Sequence, residues 1–364
     1  MKNTFGNTIA LTLFGESHGE AIGAVLDGLA PGIRIDNEYI AKKLSLRRPC
    51  GKISTSRVEA DEYKIISGVF NGYTTGTPLT IIIPNTNTQS KAYTPEIPRP
   101  GHADYTAECK YHGFQDYRGG GHFSGRLTAP IVAAGAILSL ALEEKGIYIG
   151  THIASLHGER DRGFDSDLMG DVNALSDMAF PVLDATCADR MKSVIENAAA
   201  DGDSVGGILE TAVVGCPLGV GEPWFDTVEG MLSHALFSIP AIKGVEFGEG
   251  FGFASLMGSE ANDPFRYVDG RVITETNKNG GINGGITNGM PIIFRCSVKP
   301  TPSIYKPQSS VDLEREENVT LEIKGRHDPA IIHRARIVVD SIAALVLADM
   351  LTARYGADYL ASNK

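Results

Sequence analysis

Nine histidines are spread through the 364 residues, and three stand in short polar turns beside glycine, arginine or an acid. These are His18 in Gly15-Glu16-Ser17-His18-Gly19, His102 in Arg99-Pro100-Gly101-His102-Ala103-Asp104, and His327 before Asp328 in GRHDP. Histidine exchanges protons near neutral pH, so His18 and His102 read as general acid or base candidates, with a hydrogen-bonded turn residue as the alternative for each. Ser17 adjoins His18 and Ser124 lies in GGGHFSGR, yet neither sits in a GxSxG elbow, which argues against a hydrolase triad. No HxH or HExxH spacing supports a metal site.

Arg47, Arg48, Arg57, Arg99, Arg118, Arg126 and Arg326 all lie beside glycine, proline or histidine turns rather than on amphipathic helices. A guanidinium pairs bidentately with carboxylate or phosphate, so this clustering points to a small, multiply charged anion; any one of these arginines alone would serve a surface ion pair equally well. Gly119-Gly120-Gly121 precede an alanine-rich apolar run headed by Arg126. Glycines expose backbone N–H groups and a helix start adds partial positive charge, which suits a phosphate or an electron-rich ring, though an ordinary turn would read the same way. Lys299-Pro300-Thr301-Pro302-Ser303 follows the strand-like IIFRCSV and offers a second loop of backbone and hydroxyl groups for a cofactor. Neither a P-loop nor a Rossmann glycine fingerprint is present.

The elements that must position these residues follow from periodicity. Apolar strands on either side of GESHG put Ser17 and His18 at a strand end, Asp36 to Leu46 reads as a short helix with an Asx-type start, and 63–85 alternates strand-like runs with glycine turns. Residues 146–154 read as a strand, and 158–203 as weakly patterned surface helices. The second half echoes the first: SHGEAIGAVLDGLAPG resembles DSVGGILETAVVGCPLG, GYTTGTPLTIIIP resembles GGITNGMPIIFRCSV, and the helices from Arg126 and from Arg334 both begin with arginine and run on in alanine. Three matches in one order predict internally duplicated halves, about 1–150 and 195–355, packed as one layered α+β body, a single compact domain spanning 1–364.

Composition narrows the classes. A chain of this length that is 42% hydrophobic can bury a large core. Its net charge of -11 repels polyanions, so neither nucleic acid nor an anionic membrane is an expected partner. Five scattered cysteines without a CxxC pair fit reduced thiols, and no eighteen apolar residues run together, so a soluble, cytoplasmic protein is expected.

Taken together the motifs are far more specific: GESHG at 15–19, RRP at 47–49, SGVFNGYTTGTP at 67–78, RPGHADYT at 99–106, YRGGGHFSGR at 117–126, GDSVGG at 202–207, IKGVEFGEGF at 242–251, KPT at 299–301 and KGRHDP at 324–329. The set resembles the chorismate synthase family, in order, over nearly the whole chain. The resemblance implies a lyase that converts 5-enolpyruvylshikimate 3-phosphate to chorismate and phosphate by an anti-1,4-elimination, the last step of the shikimate pathway toward aromatic amino acids. It also implies reduced FMN without net redox change, and a homotetramer of β-α-β sandwich subunits. NADPH is a candidate reductant of the flavin; with no added domain for that task, a separate flavin reductase is the expected partner.

By the same resemblance, His18 matches the histidine that protonates the leaving phosphate, with Ser17 as its relay, His102 the one near flavin N1, and Asp328 the aspartate of proton transfer at N5. Arg47, Arg48, Arg99, Arg126 and Arg326 match substrate-anion arginines, and Lys52 stands near the second arginine of the RRP loop as a further point charge. Ser124, Gly284, Ala241, Lys299, Pro300, Thr301, Pro302, Ser303 and Arg326 fall at flavin-contact positions. The chain departs from the family wording at the flavin-binding turn: RSSARET is replaced by HFSGRLT, which brings in His122, Phe123, Gly125 and Leu127. Pro302 replaces a usual serine, and Pro240 an asparagine. His18, His102, Arg126 and Asp328 are all retained, so activity is expected; the alternative is a flavin- and anion-binding homologue with altered or lost activity.

Overall fold

In the segment Leu79–Pro84, LTIIIP, every second residue points inward: Leu79, Ile81 and Ile83 are at most 1% exposed, the period-2 pattern of a strand with one face on the core. The computed structural model describes residues 2–49, 51–54, 61–86, 95–165, 167–323 and 327–362, apart from the side chain of Lys52. Leu79–Pro84 pairs antiparallel with Ala21–Asp27, which pairs in turn with Ala10–Gly15 from Ala10 opposite Asp27 to Gly15 opposite Ile22. GESHG is therefore the hairpin connection of the first sheet. Thr4–Phe5 and Lys64–Ser67 form the edges of that five-stranded sheet.

A second five-stranded antiparallel sheet orders its strands as Ile242–Phe247, Ile292–Val298, Gly207–Val214, Tyr148–Leu156 and Glu159–Arg160. Between the sheets lie the helices Thr128–Glu143 and Ile332–Tyr355. The first packs on Ala21–Asp27 and Leu79–Pro84, the second on Tyr148–Leu156 and Gly207–Val214, and the two pack on each other. This is the expected α+β, β-α-β sandwich.

A helix enclosed on all sides must be apolar all round, and TAPIVAAGAILSLALE is so, with fourteen of its sixteen residues buried. The stretch Arg118–Glu143 is long and apolar enough to cross a membrane by length and composition, but 89% of its apolar window is buried inside the protein. Gly135 marks the closest approach of the two central helices. A Cβ there would stand 2.3 Å from the Cβ of Ser341, so only hydrogen fits. Asp349 of the second helix accepts from the backbone N–H of Asn7, Thr8 and Ile9 at 2.9, 2.6 and 2.8 Å, which pins the N-terminal strand pair onto the central layer.

The order of elements repeats. Ala21–Asp27 and Leu79–Pro84 are neighbours in the first sheet as Gly207–Val214 and Ile292–Val298 are in the second, and a central helix follows each pair. Tyr148–Leu156 takes the place of Ala10–Gly15 in this correspondence, although the sequence echo begins only near residue 203. The helices Leu168–Leu175 and Ala185–Ala200 lie between Tyr148–Leu156 and Gly207–Val214 and have no counterpart between Ala10–Gly15 and Ala21–Asp27; they fall in the segment whose pattern the sequence leaves weak.

Candidate active site

The hairpin end at Ser17 and His18 is bonded directly to the triple-glycine turn. Ser17 N–H donates to Gly121 O at 3.1 Å, and His122 Nδ1 lies 2.8 Å from Gly15 O. Because a carbonyl only accepts, His122 donates there and carries its proton on Nδ1. Gly119, Gly120 and Gly121 have φ of +60, +81 and +52, a run that other residues reach only with strain. Space demands glycine at two of the three: a Cβ on Gly119 would come 2.2 Å from His18 Cε1 and one on Gly121 1.9 Å from Asp116 O, while one on Gly120 would press on His102 Cε1 at 3.2 Å. The turn thus separates two histidines that are far apart in sequence.

Each ring is held through Nδ1. The Ser17 hydroxyl donates toward the carbonyls of Arg118 and Gly119, both at 3.1 Å, and lies 3.1 Å from His18 Nδ1. Its single proton being so used, His18 Nδ1–H is the donor to Ser17, and Nε2 is left as the proton-exchanging atom. His102 Nδ1 lies 2.6 Å from Asp104 Oδ1, so its Nε2 is the exchanging atom too. Asp104 also takes the Arg99 guanidinium, at 2.7 Å from Nε and 2.8 Å from Nη2. Burial would raise the Asp104 carboxyl, but Arg99 and His102 overcome this and hold it far below the ordinary carboxylate range. Arg99 Nη1 further reaches Ser303 Oγ at 3.4 Å, and Lys299 Nζ donates to Gly101 O, so the RPGH turn and the KPTPS loop form one wall.

Beside this turn lies a cavity of about 280 Å³. Arg47, Arg48, Arg126 and Arg334 line it with Asp61, Asp328, Ser124 and Pro240. Arg47 donates to Asp61 Oδ2 from Nη2 at 2.7 Å and from Nε at 3.2 Å, and Arg126 Nη1 donates to Asp61 Oδ1. Burial alone would push the Asp61 carboxyl up, yet the two guanidiniums keep it below its usual range; the same burial lowers Arg47. Arg334 joins Asp328 at 2.9 Å and donates to the Arg47 carbonyl at 2.8 Å, which ties the second central helix to the RRP loop.

Of the residues expected from the sequence, the structure gathers His18, Ser17, His102, His122 and Phe123 at the glycine turn, and Arg47, Arg48, Arg126, Ser124, Pro240 and Asp328 around the cavity. Ala241, at φ +75, accepts from Lys299 N–H at 2.9 Å and so belongs to the KPTPS wall with Pro300, Thr301, Pro302 and Ser303. Arg99 is taken up by Asp104 and does not line the cavity. Gly284 lies apart, on a hairpin docked at the start of the helix Val228–Leu236, where Gly285 O accepts from Val228 N–H. Arg57, Arg326 and the side chain of Lys52 lie outside the described residues.

Sequence reasoning missed Asp61, Asp104 and Arg334. Asp104 was legible, since it stands two residues after His102 inside the RPGHAD turn. Asp61 carries no such signal, being 14 and 65 residues from its partners. Arg334 reads as the head of a core helix.

The residues present fit a flat ring with an anionic tail. The three glycines let His18, His102 and the Asp116 carbonyl close directly onto the backbone, Phe123 is exposed beside them, edge-on to Tyr111 at 5.9 Å, and Lys299 and the cavity arginines supply positive charge. The family model described as chorismate synthase matches residues 9–352. A chorismate synthase of Thermococcus gammatolerans is 47% identical over 352 residues, 96% of this chain and 97% of that one, and one of Korarchaeum cryptofilum is 46% identical over 348 residues, 95% and 96%. A crystal structure of chorismate synthase superimposes with a TM-score of 0.76 at 28% identity, covering 97% of this chain and 94% of its own. With motifs, fold and cavity in agreement along almost its entire length, the chain belongs to the chorismate synthase family.

Proposed function

We propose that this chain catalyses the elimination of phosphate from 5-enolpyruvylshikimate 3-phosphate to give chorismate, as a carbon–oxygen lyase using reduced FMN. The observation that carries the reading is the juxtaposition of an arginine-lined cavity of about 280 Å³ with two histidines held through Nδ1 on either side of the triple-glycine turn. A substrate with two carboxylates and a phosphate needs several guanidiniums, and Arg47, Arg48, Arg126 and Arg334 meet that need. Departure of phosphate is assisted by a positioned acid, a role that falls to His18 through Nε2, with Ser17 fixing the ring. His102, oriented by Asp104, holds a proton on the flavin side, and Asp328, which accepts from Arg334, offers a carboxylate there.

The chemistry that reduced FMN would supply there is electron density toward the allylic system during the elimination. The flavin wall would be formed by His122, Phe123, Ser124 and the loop from Lys299 to Ser303, with Pro240 and Ala241 beside it; Gly284 and Arg326 are assigned to it by resemblance alone. The same reading places the enzyme in the cytoplasm as a homotetramer served by a separate flavin reductase. The cysteines fit that compartment: Cys109, Cys187, Cys216 and Cys296 are free, and burial pushes the Cys216 and Cys296 thiols up to about 12.

The test is anaerobic phosphate release and chorismate formation with chemically reduced FMN, beside oxidised FMN and beside His102→Ala. Product with reduced FMN only, slowed in the variant by on the order of 10²–10⁴-fold, is expected. No product from the folded protein under either flavin state would overturn the reading.

A further inference from the structure

Asp61 uses the same guanidinium edges that an anionic ligand would use. Its Oδ2 takes both Nε and Nη2 of Arg47, the bidentate edge of that side chain, and its Oδ1 takes Nη1 of Arg126. The three side chains are 1%, 9% and 6% exposed, so the pairing is formed away from water, and it lies on the wall of the cavity already described. From this we infer that Asp61 is an internal competitor for the anion site: an anionic group of the substrate must displace its carboxylate from Arg47 and Arg126. The inference rests on the reading above only in taking this cavity as the substrate's.

Two further observations support displacement over permanent clamping. Asp61 sits at φ +50, a left-handed conformation, and among the described residues its hydrogen bonds are those to the two guanidiniums. The carboxylate is therefore held at this position by the two guanidiniums that a ligand would take from it. The arginines, in contrast, have other anchors. Arg126 donates to Asn85 Oδ1 at 3.2 Å and Pro84 O at 3.3 Å, and Arg47 reaches Thr128 Oγ1 at 3.5 Å, so each guanidinium has a partner besides Asp61.

Competition of this kind sets specificity. A singly charged anion exchanges one carboxylate for another and gains little, whereas a phosphate dianion gains the extra charge against two desolvated cations. Asp61 thus favours multiply charged ligands over the monocarboxylates of the cell.

The experiment titrates inorganic phosphate, and acetate as the monoanion, into the wild-type chain and Asp61→Asn by calorimetry. The variant should bind phosphate about tenfold more tightly and acetate measurably, narrowing the ratio between the two. Phosphate affinity equal to or weaker than wild type would overturn the proposal and make Asp61 an orienting residue. Should the variant fail to fold, amide exchange at 61–63 of the wild type decides: faster in saturating phosphate supports displacement, unchanged or slower refutes it. Both readouts are independent of turnover, so a failed lyase assay and a failed displacement are told apart.

Discussion

Two clusters of charge, built from different proportions of acid and base, have opposite consequences for the molecule. On the second sheet His152 stands opposite Glu210, Glu210 opposite Arg295, and Arg295 opposite Glu246, each pair in register on neighbouring strands. His152 is bracketed by Asp161 at Nδ1, 2.9 Å, and Glu210 at Nε2, 3.1 Å, while Arg295 meets Glu246 at 2.6 Å and Glu210 at 3.2 Å. Signs alternate along the row and Asp161 also accepts the N–H groups of Leu183 and Asp184. At the cavity, four arginines face two aspartates, and the excess of positive charge lies against a space large enough for a ligand. A row of alternating signs joins strands; an excess of positive charge beside a void is where an anion would be attracted.

The largest expected effect separates the two. His18→Ala should lower kcat by about 10³-fold, within the range of an acid–base group, and move the thermal midpoint little, since the ring packs against a glycine turn rather than the core. If stability fell instead and kcat held, the site and the ladder would have been assigned the wrong way round. His152→Ala should do the reverse. It removes the cation between two carboxylates and is expected to cost about 3–5 kcal/mol in urea unfolding while the folded fraction keeps its kcat.

The pH profile sharpens this. Burial would lower the His152 pKa, but Asp161 and Glu210 raise it above the usual 6.5. A group raised on folding contributes stability that is complete below its unfolded pKa and fades as pH rises through the folded one. The stability gap between wild type and His152→Gln should therefore be widest below 6.5 and shrink on the alkaline side. A gap that widened with pH would refute the charged state of the ring.

A smaller effect is expected from Asp104→Asn, which keeps the shape of the Arg99–His102 clasp but removes its charge. About a tenfold fall in kcat with little change in KM is expected, less than loss of the histidine itself. A rise in KM alone would place Asp104 in substrate binding rather than in orienting His102.

How much was legible follows from the range of the forces involved. The hairpin around GESHG, the Asp36 start of the helix Asn37–Ser45, and the two apolar central helices were readable because turn chemistry, capping and periodicity act within a few residues. Asp36 caps as expected, accepting from Tyr39 N–H at 3.0 Å. The exposed hairpin Phe265–Val268 with Arg271–Thr274 and the helix Val228–Leu236 went unread, as did the bracketing of His152, which the sequence shows only as one histidine in a strand.

Residue types, their turns and their order thus determined by themselves the family of the chain and the turns in which its histidines and arginines stand, because motifs spanning a few residues preserve that information. Tertiary structure alone decided which arginines share an acid, that Asp61 stands between Arg47 and Arg126, and that Arg334 reaches the RRP loop from the second central helix. The physical reason is that ion pairing depends on distance in space, and residues 14, 65 or 287 positions apart along the chain become neighbours only after the sandwich has closed.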